Sequence, residues 1–364
     1  MKTIVASAFL GMFCTIAAVP AQAFCTGSSV SAFGAKGDGA SDDTAAIQSA
    51  ISAAASAGGG SVVFNAARYF TTGTLAVPAG VVLCGAIEGP FDVSVTNPAA
   101  TTIAPTLLVT NTGAPFITLN GLGAGVTDLL FHYPNQVGPS AATPAVYPYT
   151  IVASSPGTKV LRCTVSNAYN FLDIESGRVL AQDLFIGAFH VGVNIDHARD
   201  HVTLRHLLHT VYWDVMQNIN PPSNIDNWVL SHSIALVVNR VDGLEVHDFD
   251  VFFRFTGMLL TDSPDATQSP RCGYGTISDV DLDSMQNGVL VTASNASGYE
   301  FTNLIVGAAF GSGQTVVQLR SGGSLPPDVL INGGSQAGSW ALGAFPTPGA
   351  GHLSVVNILG YNLP

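Results

Sequence analysis

Asp250, Asp281 and Asp283 are the side chains whose type and spacing best suit acid–base chemistry in this sequence. Asp250 sits in Val246-His247-Asp248-Phe249-Asp250-Val251, and Asp281 holds the same place in Ile277-Ser278-Asp279-Val280-Asp281-Leu282. Stacked as neighbouring strands, these segments would bring the two carboxyls together. Asp283 would share their face, because residues two apart on a strand point the same way. Glycoside hydrolysis needs such a set: one protonated carboxyl for the leaving oxygen, and a second carboxylate to activate water or attack the sugar. Crowded carboxylates repel, so one should keep its proton towards neutral pH. Two other accounts fit the same residues, a solvated acidic face without turnover and a Ca²⁺ site built from hard oxygen ligands, although no liganding loop pattern is visible.

Other side chains suit a supporting part. Tyr212, Trp213 and Trp228 offer rings that could lie against sugar faces or simply pack. Arg240 and Arg254 could position hydroxyls or carboxylates. His190, His197, His201, His206 and His209 cluster within twenty residues, but not in a helical metal-binding spacing, and one of them could serve as an acid or base. Residues 217–240 and 261–275 interrupt the repeat just before the acidic segments, where long loops often wall a site. Gly334-Ser335-Gln336 lacks the spacing of a serine-hydrolase nucleophile elbow.

What must position these residues is a repeat. Segments around Asp128, Asp183, Asp248, Asp279 and Asn303 each place a short strand, one polar residue, then a second strand with apolar residues one and three positions later. Cys163 and His206 fall at that place in two weaker copies. Asp and Asn tolerate left-handed backbone angles, so the column reads as a stacked bend and a structural ladder. Two positions beyond each bend, an outward column runs Leu130, Val165, Phe185, Leu208, Asp250, Asp281, Ile305. Gly192, Gly257, Gly288 and Gly311 mark a second recurring turn. The single convincing amphipathic helix covers residues 42–57, with capping oxygens from Asp42, Asp43 and Thr44 and a stop at Gly58-Gly59-Gly60. An immunoglobulin-like sandwich would not produce this column of bends. The pattern predicts an all-β fold, a single-stranded right-handed parallel β-helix with an N-terminal capping α-helix.

Lys2, the apolar stretch 4–19 and Ala21-Gln22-Ala23 read as a signal peptide over residues 1–23, so the mature chain is expected to be secreted or periplasmic. One solenoid domain should fill residues 24–364, with its cap in 24–60. No later segment is apolar for long enough to span a bilayer. Removing Lys2 takes the net charge from −12 to −13, and charged residues make up 10% of the chain. Without a Lys/Arg stripe there is nothing to neutralise phosphates, so nucleic acid is an unsuitable partner. Cys25, Cys84, Cys163 and Cys272 remain after processing, and three pairings are open. Cys25–Cys84 is preferred because it would staple the N-terminus. Nothing in the sequence sets an oligomeric state.

Val30-Ser31-Ala32-Phe33-Gly34-Ala35-Lys36-Gly37-Asp38-Gly39, followed by Asp42-Asp43-Thr44-Ala45-Ala46-Ile47, resembles the N-terminal signature of the pectate lyase superfamily. That group includes relatives of polygalacturonases and rhamnogalacturonases, phage tailspikes and alginate epimerases. The resemblance implies the β-helix and a capping role for the helix. It leaves the chemistry open, because the Asn-Thr-Asp, Asp-Asp, Gly-His-Gly and Arg-Ile-Lys motifs of polygalacturonases are absent, as is a pectate-lyase calcium segment. The expected activity is hydrolysis of a neutral or mildly acidic polysaccharide without a cofactor. A polysaccharide lyase, or a non-catalytic glycan-binding adhesin on the same scaffold, is the alternative.

Overall fold

Polar residues one coil apart take left-handed backbone angles: Asp128 (φ 60°), Arg162 (48°), Asp183 (55°), His206 (50°), Asp248 (60°), Asp279 (54°) and Asn303 (57°). Each turns the chain between two strands without a loop. In this computed structural model, the structure describes residues 25–92, 104–137, 140–210, 224–268, 272–294, 296–308, 315–319, 328–337 and 352–361. Residues 1–23, where a signal peptide is expected, and Gly311, Tyr212 and Trp213 lie outside them. Long strands fold across these bends: Val179–Ile195 pairs in parallel with Val202–His209, which pairs with Leu244–Phe252, then Gly273–Met285, then Ala296–Ala308. The result is a parallel β-helix with three faces: one before the bend, one after it, and a third.

The third face is built from Tyr149–Ala153, the ends of Thr164–Ile174 and Val179–Ile195, Ile234–Val238, Thr256–Leu260 and Asn287–Val291. Residues one and three beyond each bend point inward. Leu129 and Phe131, Leu184 and Ile186, Phe249 and Val251, Val280 and Leu282, and Leu304 and Val306 are all buried in one continuous core.

One coil departs from the expected register. Arg162, not Cys163, occupies the bend, so Cys163 and Val165 point inward and Thr164 replaces Val165 in the outward column. The side chain explains the exchange: Arg162 Nε donates to Asp128 Oδ1 at 2.7 Å and Nη2 to Oδ2 at 2.9 Å, pinning one bend to the next. His206 and Asp183 (2.8 Å), and Asn303 and Asp279 (2.9 Å), repeat this coil-to-coil bonding. Asp279→Val is expected to cost about 1–2 kcal/mol, because a β-branched residue resists the left-handed angle, while Asp279→Asn is tolerated. Urea midpoints of the two variants check this.

The first helix spans Thr44–Ser56 and buries Ile47, Ala50, Ile51 and Ala54 into the core of the first coils. Asp42 supplies the capping contact, accepting from the Thr44 amide at 3.0 Å. Asp43 instead turns back to accept from the Lys36 and Gly37 amides, holding the glycine turn. Cys25 and Cys84 are joined, while Cys163 and Cys272 are buried free thiols pushed up to about 12 by burial.

Two further expectations change. A second helix, Asn224–His232, seats Ile225 and Val229 on Phe189 and Phe253, although only that i, i+4 pair marked it in the sequence. Gly192, Gly257 and Gly288 do not form a turn; they lie in register inside strands of the third face. A Cβ on Gly192 would stand 2.6 Å from the His209 Nδ1, and one on Gly257 2.8 Å from the Gly288 carbonyl oxygen. Close packing selects these glycines. Among the described residues no helix is long and apolar enough to cross a membrane.

Candidate active site

On the face after the bend, the outward column runs Leu130, Thr164, Phe185, Leu208, Asp250, Asp281, Ile305 in continuous register. Its early part is roofed: Phe91 and Ala104 pack on Leu130, and Thr164 Oγ1 bonds the Phe91 backbone. Beyond Leu208 the roof ends among the described residues, and the acidic residues follow. Asp250 and Asp281 are direct cross-strand partners, and Asp283 pairs with Phe252 two residues along. The three line a cleft of about 400 Å³ together with Leu208, Thr210, Val251 and Phe252. Gly307 is the next partner of Asp283, and a Cβ there would come within 2.6 Å of the Asp283 carboxylate. The glycine keeps that end open.

The local field separates the carboxyls. Burial against Leu208 and Phe252, then the neighbouring Asp250 and Asp283, push the Asp281 carboxyl up to about 6. Asp250 is also raised, by burial and then by Asp248, with His206 opposing. Adjacent strands lie about 4.8 Å apart and alternate residues about 6.6 Å apart, which puts the Asp250–Asp283 diagonal near about 8 Å between Cα atoms. Side chains that leave one face in parallel carry such spacings out towards their carboxyl groups, which inverting glycosidases hold about 6.5–9.5 Å apart and retaining ones about 5 Å apart.

The supporting residues divide. Trp228 lies on the second helix, stacked on His232 at 4.4 Å between ring centroids and tilted towards Tyr169 and His190 at 6.0 Å each, so it belongs to an aromatic group beside the third face. Arg254 is fully buried, with Nε donating to His209 Nε2 at 3.0 Å; it is a core contact and cannot reach a surface glycan in this arrangement. Arg240 is mostly buried and paired with Asp242 at 2.6 Å. Neither arginine meets the aspartate cleft. Among the described residues, the only three potential metal ligands converging within 4.8 Å are Cys25, Cys84 and Asp128, and the two cysteines are spent in the disulfide.

A second polar set was missed from the sequence. Asp173 and Asn194 are outward partners on the third face, bonded at 2.7 Å, and Asn239 donates to Asn194 at 2.7 Å. Glu175 hydrogen-bonds Asp173, and burial followed by the Asp173 charge pushes its carboxyl up to about 7. Asp173 is raised too, first by burial. His197 Nδ1 stands 2.6 Å from Glu175, close but misaligned for a hydrogen bond, while Nε2 bonds Asp265 at 2.9 Å and that contact raises the imidazole. Tyr149 lies beside both carboxyls, raised by burial and by them. The signal was the repeated triplet Asp173-Ile174-Glu175 and Asn194-Ile195-Asp196, one coil apart.

Comparison with known proteins bears out the resemblance. Residues 28–134 match the family model "Rhamnogalacturonase A/epimerase, pectate lyase-like". A 41-residue stretch is 66% identical to the mannuronan C5-epimerase AlgE3 of Azotobacter vinelandii, covering 11% of this chain and only 2% of that protein. The A-module of the A. vinelandii epimerase AlgE6 superposes with a TM-score of 0.56 at 15% identity, covering 92% of this chain and 99% of the module. The tailspike protein of E. coli bacteriophage HK620, solved with a hexasaccharide, superposes with a TM-score of 0.59 at 11% identity, over 91% of this chain and 65% of the tailspike. The chain has the pectate lyase-like parallel β-helix fold.

Proposed function

We propose that this exported pectate lyase-like β-helix hydrolyses an extracellular polysaccharide, with Asp281 as the general acid and Asp250 as the base or nucleophile. The observation that carries the reading is the register of Asp250 and Asp281: outward neighbours in an open cleft, with one carboxyl retaining its proton to about pH 6. Protonated Asp281 delivers its proton to the leaving glycosidic oxygen. Ionised Asp250 activates water or attacks the sugar carbon, and the Asp283 charge helps Asp281 to keep its proton. Phe252 offers a ring face beside them. The cleft contains no Lys or Arg among its described lining, which favours a neutral sugar over a uronate. Export rests on the N-terminal signal pattern and agrees with the disulfide.

A second reading is favoured by the Asp173–Glu175 pair. β-Elimination needs a uronate's charge neutralised and a proton removed beside it, and the Glu175 carboxyl, pushed up to about 7 next to Asp173, Tyr149 and His197, suits the first of these needs. One assay separates the readings. The purified mature protein is incubated with a panel of neutral and acidic polysaccharides, and reducing ends are measured alongside ultraviolet absorbance of unsaturated uronate. New reducing ends without absorbance are expected; ends with absorbance select the lyase, and neither, with retained binding, selects an adhesin.

The acid role sets a pH limb. Because Asp281 must be protonated, kcat is expected to fall as pH rises through about 6, about ten-fold per unit once well above it. A rate that stays flat between about pH 5 and about pH 8 would assign the proton to another group.

A further inference from the structure

A cavity of about 550 Å³ opens on the face before the bend, around the corner from the aspartates. Tyr274, His201, Gly243, Thr276, Glu300 and Gly298 are among the residues that line it. We infer that it is a second glycan-binding site, separate from the acidic cleft, which takes a neutral sugar ring against Tyr274. The choice of ligand class rests on the polysaccharide reading above; the site itself rests on its own geometry.

Three observations support it. Tyr274 is 53% exposed, the most exposed tyrosine, tryptophan or phenylalanine among the described residues, so its ring face is available to a ligand. Its neighbour Gly275 faces the interior, where a Cβ would stand 2.6 Å from the Leu244 carbonyl oxygen, so the strand packs closely there and Tyr274 alternates to the outside. The second observation is the gap at Gly243. A Cβ there would lie 3.4 Å from His201 Nδ1 and 3.8 Å from the Tyr274 hydroxyl, so both polar atoms face the same opening. Neighbouring side chains hold the His201 ring in that pose. Its Nε2 contacts Glu245 at 3.3 Å, and Glu245 is anchored by Arg205 at 2.9 Å, which turns Nδ1 to the gap. The third is charge. Among the described residues the lining carries Glu300 and no lysine or arginine, so it would repel a uronate and can accept hydrogen bonds from uncharged hydroxyls. Buried Tyr299 and Val329 close the floor.

A flat apolar ring, an imidazole nitrogen, a hydroxyl and a carboxylate around one opening match the two surfaces of a pyranose: a face of C–H groups and an equator of hydroxyls. The volume suits a short stretch of chain rather than a single ring. Because the face before the bend and the face after it are divided by the Asp248 and Asp279 bends, a glycan held here is not the segment being cleaved. The site would keep the protein on its polymer between cuts.

The test is affinity electrophoresis in native gels containing β-glucan, xylan or galactomannan, with alginate as the anionic comparison. Asp281→Asn protein is used so that the polymer survives. It should be retarded in at least one neutral gel, and adding Tyr274→Ala should weaken that retardation about five-fold, whereas Tyr274→Phe should keep most of it. Equal retardation with and without the Tyr274 ring, retardation by alginate alone, or no retardation in any gel would overturn the site. Melting curves confirm that the exposed substitutions leave folding intact. If the wild-type protein cleaves nothing, the hydrolase reading fails while a Tyr274-dependent shift still upholds this one.

Discussion

Asp281→Asn is expected to reduce polysaccharide cleavage by about 10²–10⁴-fold, the usual contribution of a positioned general acid. The amide keeps the shape of the side chain beside Asp250 but has no carboxyl proton to give. Asp250→Asn should cost a similar factor, because the remaining acid would then have no nucleophile or base opposite it. The stability of the Asp281 variant should move the other way. The folded carboxyl titrates near about 6, above the ordinary aspartate value of 3.8. The native state therefore holds an extra proton between those values, and the stability it contributes is present below the unfolded pKa and lost as pH rises through the folded one. Asparagine cannot titrate, so it removes that loss. The carboxyl is only half-buried, and solvent screening leaves a gain of about 1 kcal/mol or less at neutral pH. Initial rates and melting curves on the same samples measure both effects. A variant that melts normally and keeps its full rate would remove Asp281 from the mechanism.

Arg162→Ala should be among the most damaging substitutions outside that cleft, lowering stability by about 3–5 kcal/mol. Its guanidinium makes a two-pronged contact with Asp128 at 2.7 and 2.9 Å and also donates to Thr127 at 2.9 Å. Asp128 is fully buried, so deleting the arginine leaves a charge without its counterion. The carboxylate also accepts from the Gly89 amide at 3.0 Å, so the loop running to Phe91 loses its anchor as well. Arg162→Lys should recover only part of the loss, since an ammonium cannot reproduce the fork. Urea unfolding measures it directly. An Arg162→Ala midpoint equal to that of the wild type would mean the bend ladder carries no stability.

Much of the fold and of the aspartate cleft was legible from residue order alone. A bend that recurs with one polar residue and a fixed pair of apolar neighbours implies stacking, and the spacing of Asp248 and Asp279 placed Asp250 beside Asp281. Local chemistry misled at one coil. Cys163 looked like the repeat's polar position, whereas Arg162 takes it, because the reward for an arginine there is a contact with Asp128, 34 residues earlier in the chain. The helix at Asn224–His232 was overlooked for a similar reason: two buried aliphatic residues are a faint local signal, and Phe189 and Phe253 supply the surface that stabilises it.

The amino-acid order by itself determined the solenoid, its first helix and the outward column of carboxylates, because each depends on periodicity or on groups near in sequence; of three open cysteine pairings, the structure selected the preferred Cys25–Cys84. Only the tertiary structure decided which acids hold protons, that Arg254 is spent inside the core, and that Asp173, Glu175 and His197 form a second set with Asp265. Protonation depends on burial and on neighbours brought in from distant coils. Those quantities do not exist until the coils are stacked.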